Sequence, residues 1–368
     1  MKVGLNATCL NDRPSGAKQR FLGIYKELVK RMPDTEFVVY EPLDCRVGSW
    51  FDGAPNVVAR HTPIPSEGRS KKLIAGFQYW RSALAHEKFD LFEGFHLPLV
   101  VAPTGRTLLL LHDIRGINSE YGLLSRAAFK LVLSRSIRAA DLVVTVSESM
   151  REEILSIYHG VPIAVIYNGF DAHGFDGITE SNMLAFRQKF FLPHEFLLAV
   201  GHFEGRKNYL CLINALALLR DRGCPCSLLI IGNDSGERDA IEKRVEYLNL
   251  SSHVQILSGL SDTEVRCAYK LCSLFVFPSS YEGFGIPILE AMAAGCPMVL
   301  SDIPVFREIT QSQGVYFPYA DSEALADSIE HVLGSTDESS RMIHYGRQRV
   351  DDFNFHTLAA QVESLYKG

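Results

Sequence analysis

Two carboxylates, Glu282 and Glu290, bracket the loop Gly283, Phe284, Gly285, Ile286, Pro287 in "SSYEGFGIPILEAMAAGCP", residues 279–297. An apolar strand-like run, 274–277, comes just before, and a helix-like run, 289–294, just after. The glycines allow a ligand to approach the backbone closely. Pro287 suits a first helical turn, which sets Gly285 and Ile286 ahead of the helix, Glu282 in the loop and Glu290 in the first or second turn. A carboxylate near a helix start gains from the dipole alone. It can also accept both vicinal hydroxyls of a ribose, while a second carboxylate accepts hydroxyls of a hexose and a phosphate rests on the loop N–H groups between them. The pair does not read as a glycosidase pair, because retaining hydrolases hold their carboxylates about 5 Å apart and the loop separates these further.

A second constellation follows the apolar run "FLLAV": Gly201, His202, Phe203, Glu204, Gly205, Arg206, Lys207, Asn208, then a helical pattern. Unpaired N–H groups and the dipole at a helix start favour an anion. Arg206 can fork onto two phosphate oxygens and Lys207 adds a point charge. The spacing is not that of a Walker A loop. Two solvated cations at a turn is the plainer alternative.

The elements that position these residues alternate along the chain. In the first half strands are expected at 3–6, 37–40, 91–93, 107–111, 142–146 and 163–166, with helices at 17–31, 71–86, 125–140 and 149–158. The glycine-rich stretch "NGFDAHGFDGI", 168–178, interrupts the pattern and reads as a linker. Strands then recur at 196–200, 226–231, 254–257, 274–277 and 298–300, with helices at 209–220, 236–248, 262–272 and 288–294 and a helical tail from Ser322. Short strands alternating with helices imply an α/β chain of two doubly wound parallel-sheet domains with a cleft between them. Ligands in such sheets sit beyond the C-terminal ends of the strands, where both constellations lie.

Composition agrees with a folded protein of two ordinary domains: 368 residues, 47% apolar and 22% charged. No signal peptide is expected, since Met1, Lys2 and Val3 run into a strand, and no run approaches the length of a membrane span. The eight cysteines are scattered without zinc-site spacing, which suits reduced thiols in a cytoplasm and no metal. The net charge of -6 is uneven. Residues 1–170 carry 21 Lys and Arg against 17 Asp and Glu, and the remainder 16 against 26. A basic first half suits an anionic membrane surface or a phosphorylated acceptor, although such imbalances also occur without function.

The stretch from Glu282 to Glu290 resembles the E-x7-E signature of retaining, nucleotide-sugar-dependent glycosyltransferases of the GT-B fold in glycosyltransferase family 4. "VGHFEGRKN" resembles the family's phosphate-binding turn, "IYNGFD" its interdomain stretch, and "LLHDI" with "VTVSESMREEI" the histidine strand end and following helix of mannosyltransferase-like members. "LSGLSDTEVRCAYKLCSLFVFPSSYEGFG" resembles the family's C-domain run.

The resemblance implies two Rossmann-like domains facing across a cleft. These would be an acceptor-binding domain at 1–172, a nucleotide-sugar domain at 173–350 and a C-terminal helix, 351–368, returning to the first. It implies that Glu290 binds the ribose, Glu282 the donor hexose, and Arg206 and Lys207 the diphosphate beside Gly201. Phe284, Gly285 and Ile286 would offer backbone N–H groups. Gly16, in "RPSGAKQR", matches the N-domain glycine loop, and His112 would point toward the transferred sugar. A satisfied histidine at a strand end is the alternative for His112, and Asp113 fits orientation of His112 or backbone. Two positions depart from the pattern: Lys18 is unexpected, with Arg20 as the possible equivalent cation, and His202 stands where many members carry arginine.

The implied reaction moves a hexose with retention, from a GDP-mannose-like donor first and a UDP-sugar next, by front-face displacement. No cofactor or metal would be needed, since no D-x-D motif occurs and the cations would stabilise the leaving group. The acceptor would be a glycan or lipid-linked molecule in lipopolysaccharide or surface polysaccharide biosynthesis, with no nucleic acid as partner. In "SKKLIAGFQYWRSALAHEK", 70–88, Leu73, Ile74, Phe77, Trp80 and Leu84 share a helical face flanked by Lys71, Lys72 and Arg81. That face suits either the core or peripheral binding to the inner face of an anionic membrane. A nucleotide-sugar epimerase, an NAD-dependent oxidoreductase and a lectin-like binder are the rivals. The oxidoreductase lacks a G-x-G-x-x-G turn.

Overall fold

In the computed structural model the chain divides into two compact units, Met1–Phe170 with Phe353–Gly368, and Asp171–Asp352. The structure describes residues 1–13, 15–85, 87–117 and 122–368, and the side chains of Arg69, Ser70 and Leu73 lie outside that description. The expected end of a helix at His86, and Leu73 on its apolar face, therefore fall outside the described residues.

The first unit is built on a parallel sheet of β1 (Lys2–Asn6), β2 (Glu36–Glu41), β3 (Val57–His61), β4 (Leu91–Gly94), β5 (Arg106–Leu111), β6 (Leu142–Thr145) and β7 (Ile163–Val165). Its strand order is β3-β2-β1-β4-β5-β6-β7. Its helices are α1 (Gly16–Arg31), α2 (Arg69–Ala83), α3 (Leu123–Ala139) and α4 (Glu148–Ile157). Central strands such as β4 and β5 are buried almost throughout, as a sheet covered on both faces requires. β3 was not expected from the sequence: "VVARH" is an edge strand with three exposed residues, so it carries neither a continuous apolar run nor alternation.

The second unit repeats the plan with β8 (Leu197–Val200), β9 (Leu228–Ile231), β10 (Val254–Leu257), β11 (Leu274–Phe277), β12 (Met298–Ser301) and β13 (Val315–Phe317), in the order β10-β9-β8-β11-β12-β13. Around it lie α5 (Glu180–Lys189), α6 (Tyr209–Asp221), α7 (Arg238–Tyr247), α8 (Asp262–Leu271), α9 (Ile286–Ala294), α10 (Pro304–Thr310), α11 (Ser322–Gly334) and α12 (Thr336–Arg349). The core packs α6 and α11 against the sheet through Leu212, Leu216, Leu325 and Ile329. Ser261 and Glu264 close a reciprocal capping box that starts α8. The short β13, α5 and α10 had no clear sequence signal. In both sheets the order reverses beside the first strand, between β1 and β4 and between β8 and β11, which is where open α/β sheets bind ligands.

α13 (Phe355–Lys367) belongs to the first unit. Its Phe355 ring fills the space above Gly23 and Gly169, where an added Cβ would meet the ring at 2.1 Å. Gly169 in the expected linker is thus there for close packing rather than for flexibility. Phe170 N–H donates to the Phe353 carbonyl at 2.8 Å, and Tyr366 donates to buried Glu93.

Candidate functional site

In the second unit the loop after β8 meets the loop after β11, at the point where the strand order reverses. Glu282 Oε1 lies 2.6 Å from Lys207 Nζ and 2.6 Å from Arg206 Nη1, and Arg206 Nε lies 2.7 Å from Glu204. The three central side chains are only 7–16% exposed. Lys207 Nζ also sits 4.6 Å above the Phe277 ring. The two loops are tied further by Arg206 Nη1 donating to the Tyr281 carbonyl and Ser280 N–H donating to the Arg206 carbonyl.

Gly201 has φ of 150°, and a Cβ there would come within 2.9 Å of Lys207 Cε. The glycine leaves room for the lysine to cross the strand end. Tyr209 fixes the same strand end by donating to the Gly201 carbonyl at 2.8 Å.

The electrostatics follow from this packing. Burial alone would raise the Glu282 carboxyl, but Lys207 and Arg206 outweigh it and hold the pKa below the usual glutamate range. Burial pulls the Lys207 ammonium down from its ordinary value, against the opposing pull of Glu282. Arg206 is held firmly protonated by Glu282 and Glu204, which overcome its burial. Arg206 and Lys207 are therefore not two solvated cations at a turn.

Glu290 stands in the second turn of α9, with Gly285, at φ of 117°, as the N-cap and Ile286 as the first helical residue. Sequence spacing placed Ile286 one step ahead of the helix. The helix begins there because Pro287 also fits the helical first turn. Tyr269 of α8 donates to Glu290 Oε2 at 2.8 Å. Burial raises Glu290, and the Tyr269 hydrogen bond, Arg266 and Lys207 partly offset it. Lys207 and Glu290 thus feel each other's charge within one unit. Phe284 is buried beneath the loop, while His202 is exposed. Glu204 and Tyr269 were quoted in the motifs without a role. Tyr269 could have been found as the aromatic on the buried face of α8.

In the first unit Gly16 opens α1, behind a Ser15 cap that accepts from Lys18 N–H. Arg20 is fully buried, and its guanidinium donates to the carbonyls of Ile166 and Tyr167. It is committed to the chain leaving β7, so it does not replace a phosphate-binding cation. Lys18 bonds Asp12 and lies over Trp50.

His112 follows directly on β5 and lines a cavity of about 760 Å³ together with Asp113. Burial and the Arg20 charge push the His112 imidazole down to about 3, so it is neutral near pH 7. The expected single apolar face on α2 divides in two. Trp80 packs against Tyr40 and Phe92 and Leu84 is buried, while Ile74 and Phe77 are 66% and 69% exposed. Among the described residues no helix is long and apolar enough to cross a membrane.

Residues 183–349 match the model "Glycosyl transferases group 1", and residues 15–173 match "Glycosyltransferase Family 4". The O-antigen chain mannosyltransferase B of Escherichia coli is 30% identical over 301 residues, 79% of this chain and 77% of its own length. The O-antigen chain mannosyltransferase RfbU of Salmonella typhimurium is 28% identical over 239 residues. That match spans 64% of each chain, just under two thirds of the relative's length. The solved structure of Anabaena HepE in complex with UDP and glucose aligns with a TM-score of 0.75 at 20% identity, covering 100% of this chain and 99% of that one.

Proposed function

We propose that this chain, which belongs to the group 1 glycosyltransferases of family 4, moves a mannose-like hexose with retention from a nucleoside-diphosphate donor to a glycan or lipid-linked acceptor in surface polysaccharide assembly. The observation that carries the reading is the ion cluster of Arg206, Lys207 and Glu282 at the strand-order reversal, beside Glu290. The mannosyltransferase relatives support the hexose. GDP is the first choice of base. UDP is the second, since HepE was solved with UDP.

In this reading the diphosphate competes with Glu282 for the two cations. Arg206 and Lys207 take the phosphate oxygens, and the released Glu282 turns to the hexose hydroxyls. Glu290, held by Tyr269, accepts from the ribose hydroxyls. The N–H groups of Phe284, Gly285 and Ile286 face phosphate and sugar, and Gly201 keeps the strand end open. Gly16 and His112 act from the first unit, on the diphosphate and the transferred sugar. The leaving phosphate takes the acceptor's proton as the new bond forms on the same face. The cations stabilise the charge left on the nucleotide, so no metal is required. The chain works in the cytoplasm, at the inner face of an anionic membrane. Exposed Ile74 and Phe77 beside Lys71 support that placement.

The test is a melting-temperature screen with GDP-, UDP-, ADP- and dTDP-linked sugars, followed by NMR of the product's anomeric configuration. A GDP-sugar that raises the melting temperature, with transfer unchanged by EDTA and configuration retained, supports the reading. No shift with any nucleotide sugar, or inversion at the anomeric carbon, refutes it. Co-sedimentation with anionic liposomes that survives Lys71→Glu with Lys130→Glu at low salt removes the membrane part.

A further inference from the structure

The cavity beside His112 has the size of a small-molecule pocket, and it is more apolar than a site for sugar alone would be. Most of its wall is apolar: Phe77, Trp80, Leu97, Pro98, Val100 and Val132. It opens at the C-terminal ends of β1, β4 and β5, at the reversal of the first sheet, and α2 and α3 form its sides. These helices carry Arg69, Lys71, Lys72 and Arg81, and Arg126, Lys130, Arg135 and Arg138, without one carboxylate. Exposed apolar residues continue along both, with Phe77 at 69%, Leu123 at 80% and Leu124 at 88%.

Among the polar groups of the wall, Lys72 and His96 lie close enough for the Lys72 charge to reach the imidazole. Lys72 is half-buried and among the described residues makes no ion pair. The two carboxylates nearest in charge are engaged elsewhere, Asp44 by Ser66 and Glu67 by Arg13. Among the described residues the buried His96 Nδ1 has no hydrogen-bond partner. A wall of hydrocarbon that carries an uncommitted cation fits an amphiphile with an anionic head.

We infer that this pocket binds a long-chain phosphoester, the lipid carrier of the acceptor, with the chain against Phe77, Trp80 and Val132 and the phosphate at Lys72. The inference rests on the transferase reading and assigns the acceptor's class. The occupant is one molecule held in a cavity of fixed volume, so affinity must rise with chain length and then stop rising. Each methylene buried adds about fourfold. A membrane surface contacted from outside would show no such limit.

The chain has two tryptophans, and Trp80 lines the pocket while Trp50 does not. In a Trp50→Phe variant, Trp80 is the sole reporter. Alkyl phosphates of six to sixteen carbons, below their micelle concentrations, should change its emission saturably. Affinity should rise steeply and reach a plateau, and the alcohol of the same chain should bind at least tenfold more weakly.

Two variants fill the cavity. At Gly76, which lines the cavity, an added Cβ would make ordinary contact with Trp80 at 3.5 Å and Ile64 at 3.8 Å, so Gly76→Leu fits without a clash at Cβ and its further atoms fill cavity space. Ala128 is exposed on α3, so Ala128→Phe does not load the core. Both should weaken the alkyl phosphate at least tenfold and leave the nucleotide-sugar melting shift unchanged. Emission that never saturates, equal binding by both variants, or a response seen only with lipid vesicles overturns the inference. Loss of the nucleotide-sugar shift in the parent chain defeats the transferase reading instead, whatever the alkyl phosphates do.

Discussion

The two units share one sheet plan and line their strand-order reversals with opposite chemistry. In the second, the reversal holds Lys207, Arg206 and Glu282 within 2.6 Å contacts, with Lys207 over the Phe277 ring. In the first, it holds a cavity walled mostly by apolar side chains, Phe77, Trp80 and Val132 among them. The charged site is full of its own countercharges and must rearrange to take a ligand. The apolar site is open and needs only to lose water. In the proposed reading the same topology serves anion recognition in one unit and shape-limited apolar binding in the other.

The largest effect that could break this contrast comes from Lys207→Ala. It leaves Glu282 with Arg206 as its remaining cation, so the cost stays below the about 3–5 kcal/mol of a buried charge left with no partner. Transfer should fall by roughly a thousandfold, with the melting temperature lowered. An enzyme that keeps a tenth of its rate would show that the cluster is only structural.

Glu282→Gln separates competition from catalysis. Freed of their carboxylate, Arg206 and Lys207 should bind the nucleoside diphosphate up to about tenfold tighter while turnover falls about a hundredfold. Calorimetry with nucleotide alone, set beside the rate, checks both halves. Weaker nucleotide binding would mean that Glu282 organises the cations rather than restraining them.

Tyr269→Phe is smaller. Losing one hydrogen bond to a carboxylate costs about 1–3 kcal/mol, so nucleotide-sugar KM should rise several-fold with little change in kcat. Since Tyr269 lowers Glu290, the carboxyl should then titrate higher still.

Acid should distinguish the units in their order of failure. Burial pushes His112 to about 3 and His96 to about 4, both below the ordinary 6.5. The unfolded chain binds protons in that window and the folded one does not. Their contribution is whole above pH 6.5 and is lost as pH falls toward 4. Glu282, also lowered, contributes above pH 4.5 and loses that only below it. Burial raises Glu93, whose stabilisation runs the other way and fades as pH rises. Both tryptophans lie in the first unit, so their emission should change at higher pH than far-ultraviolet dichroism, and His112→Gln should narrow the gap.

Much of this molecule was legible in its sequence because the relevant physics is local. Parallel strands buried on both faces read as short apolar runs, and the helix starts around Arg206 and Glu290 announce themselves through glycine, proline and charge. The family follows from the same stretches. The chain could not announce β3, whose exposed residues gain their strand state only by pairing with β2. Nor could it show that Glu282 neutralises Arg206 and Lys207. That contact joins residues 75 positions apart, through the adjacency of β8 and β11. The division of α2 into a buried Trp80 and an exposed Phe77 was equally invisible. Helical periodicity places both on one side, and only the packed neighbours decide which of them meets water.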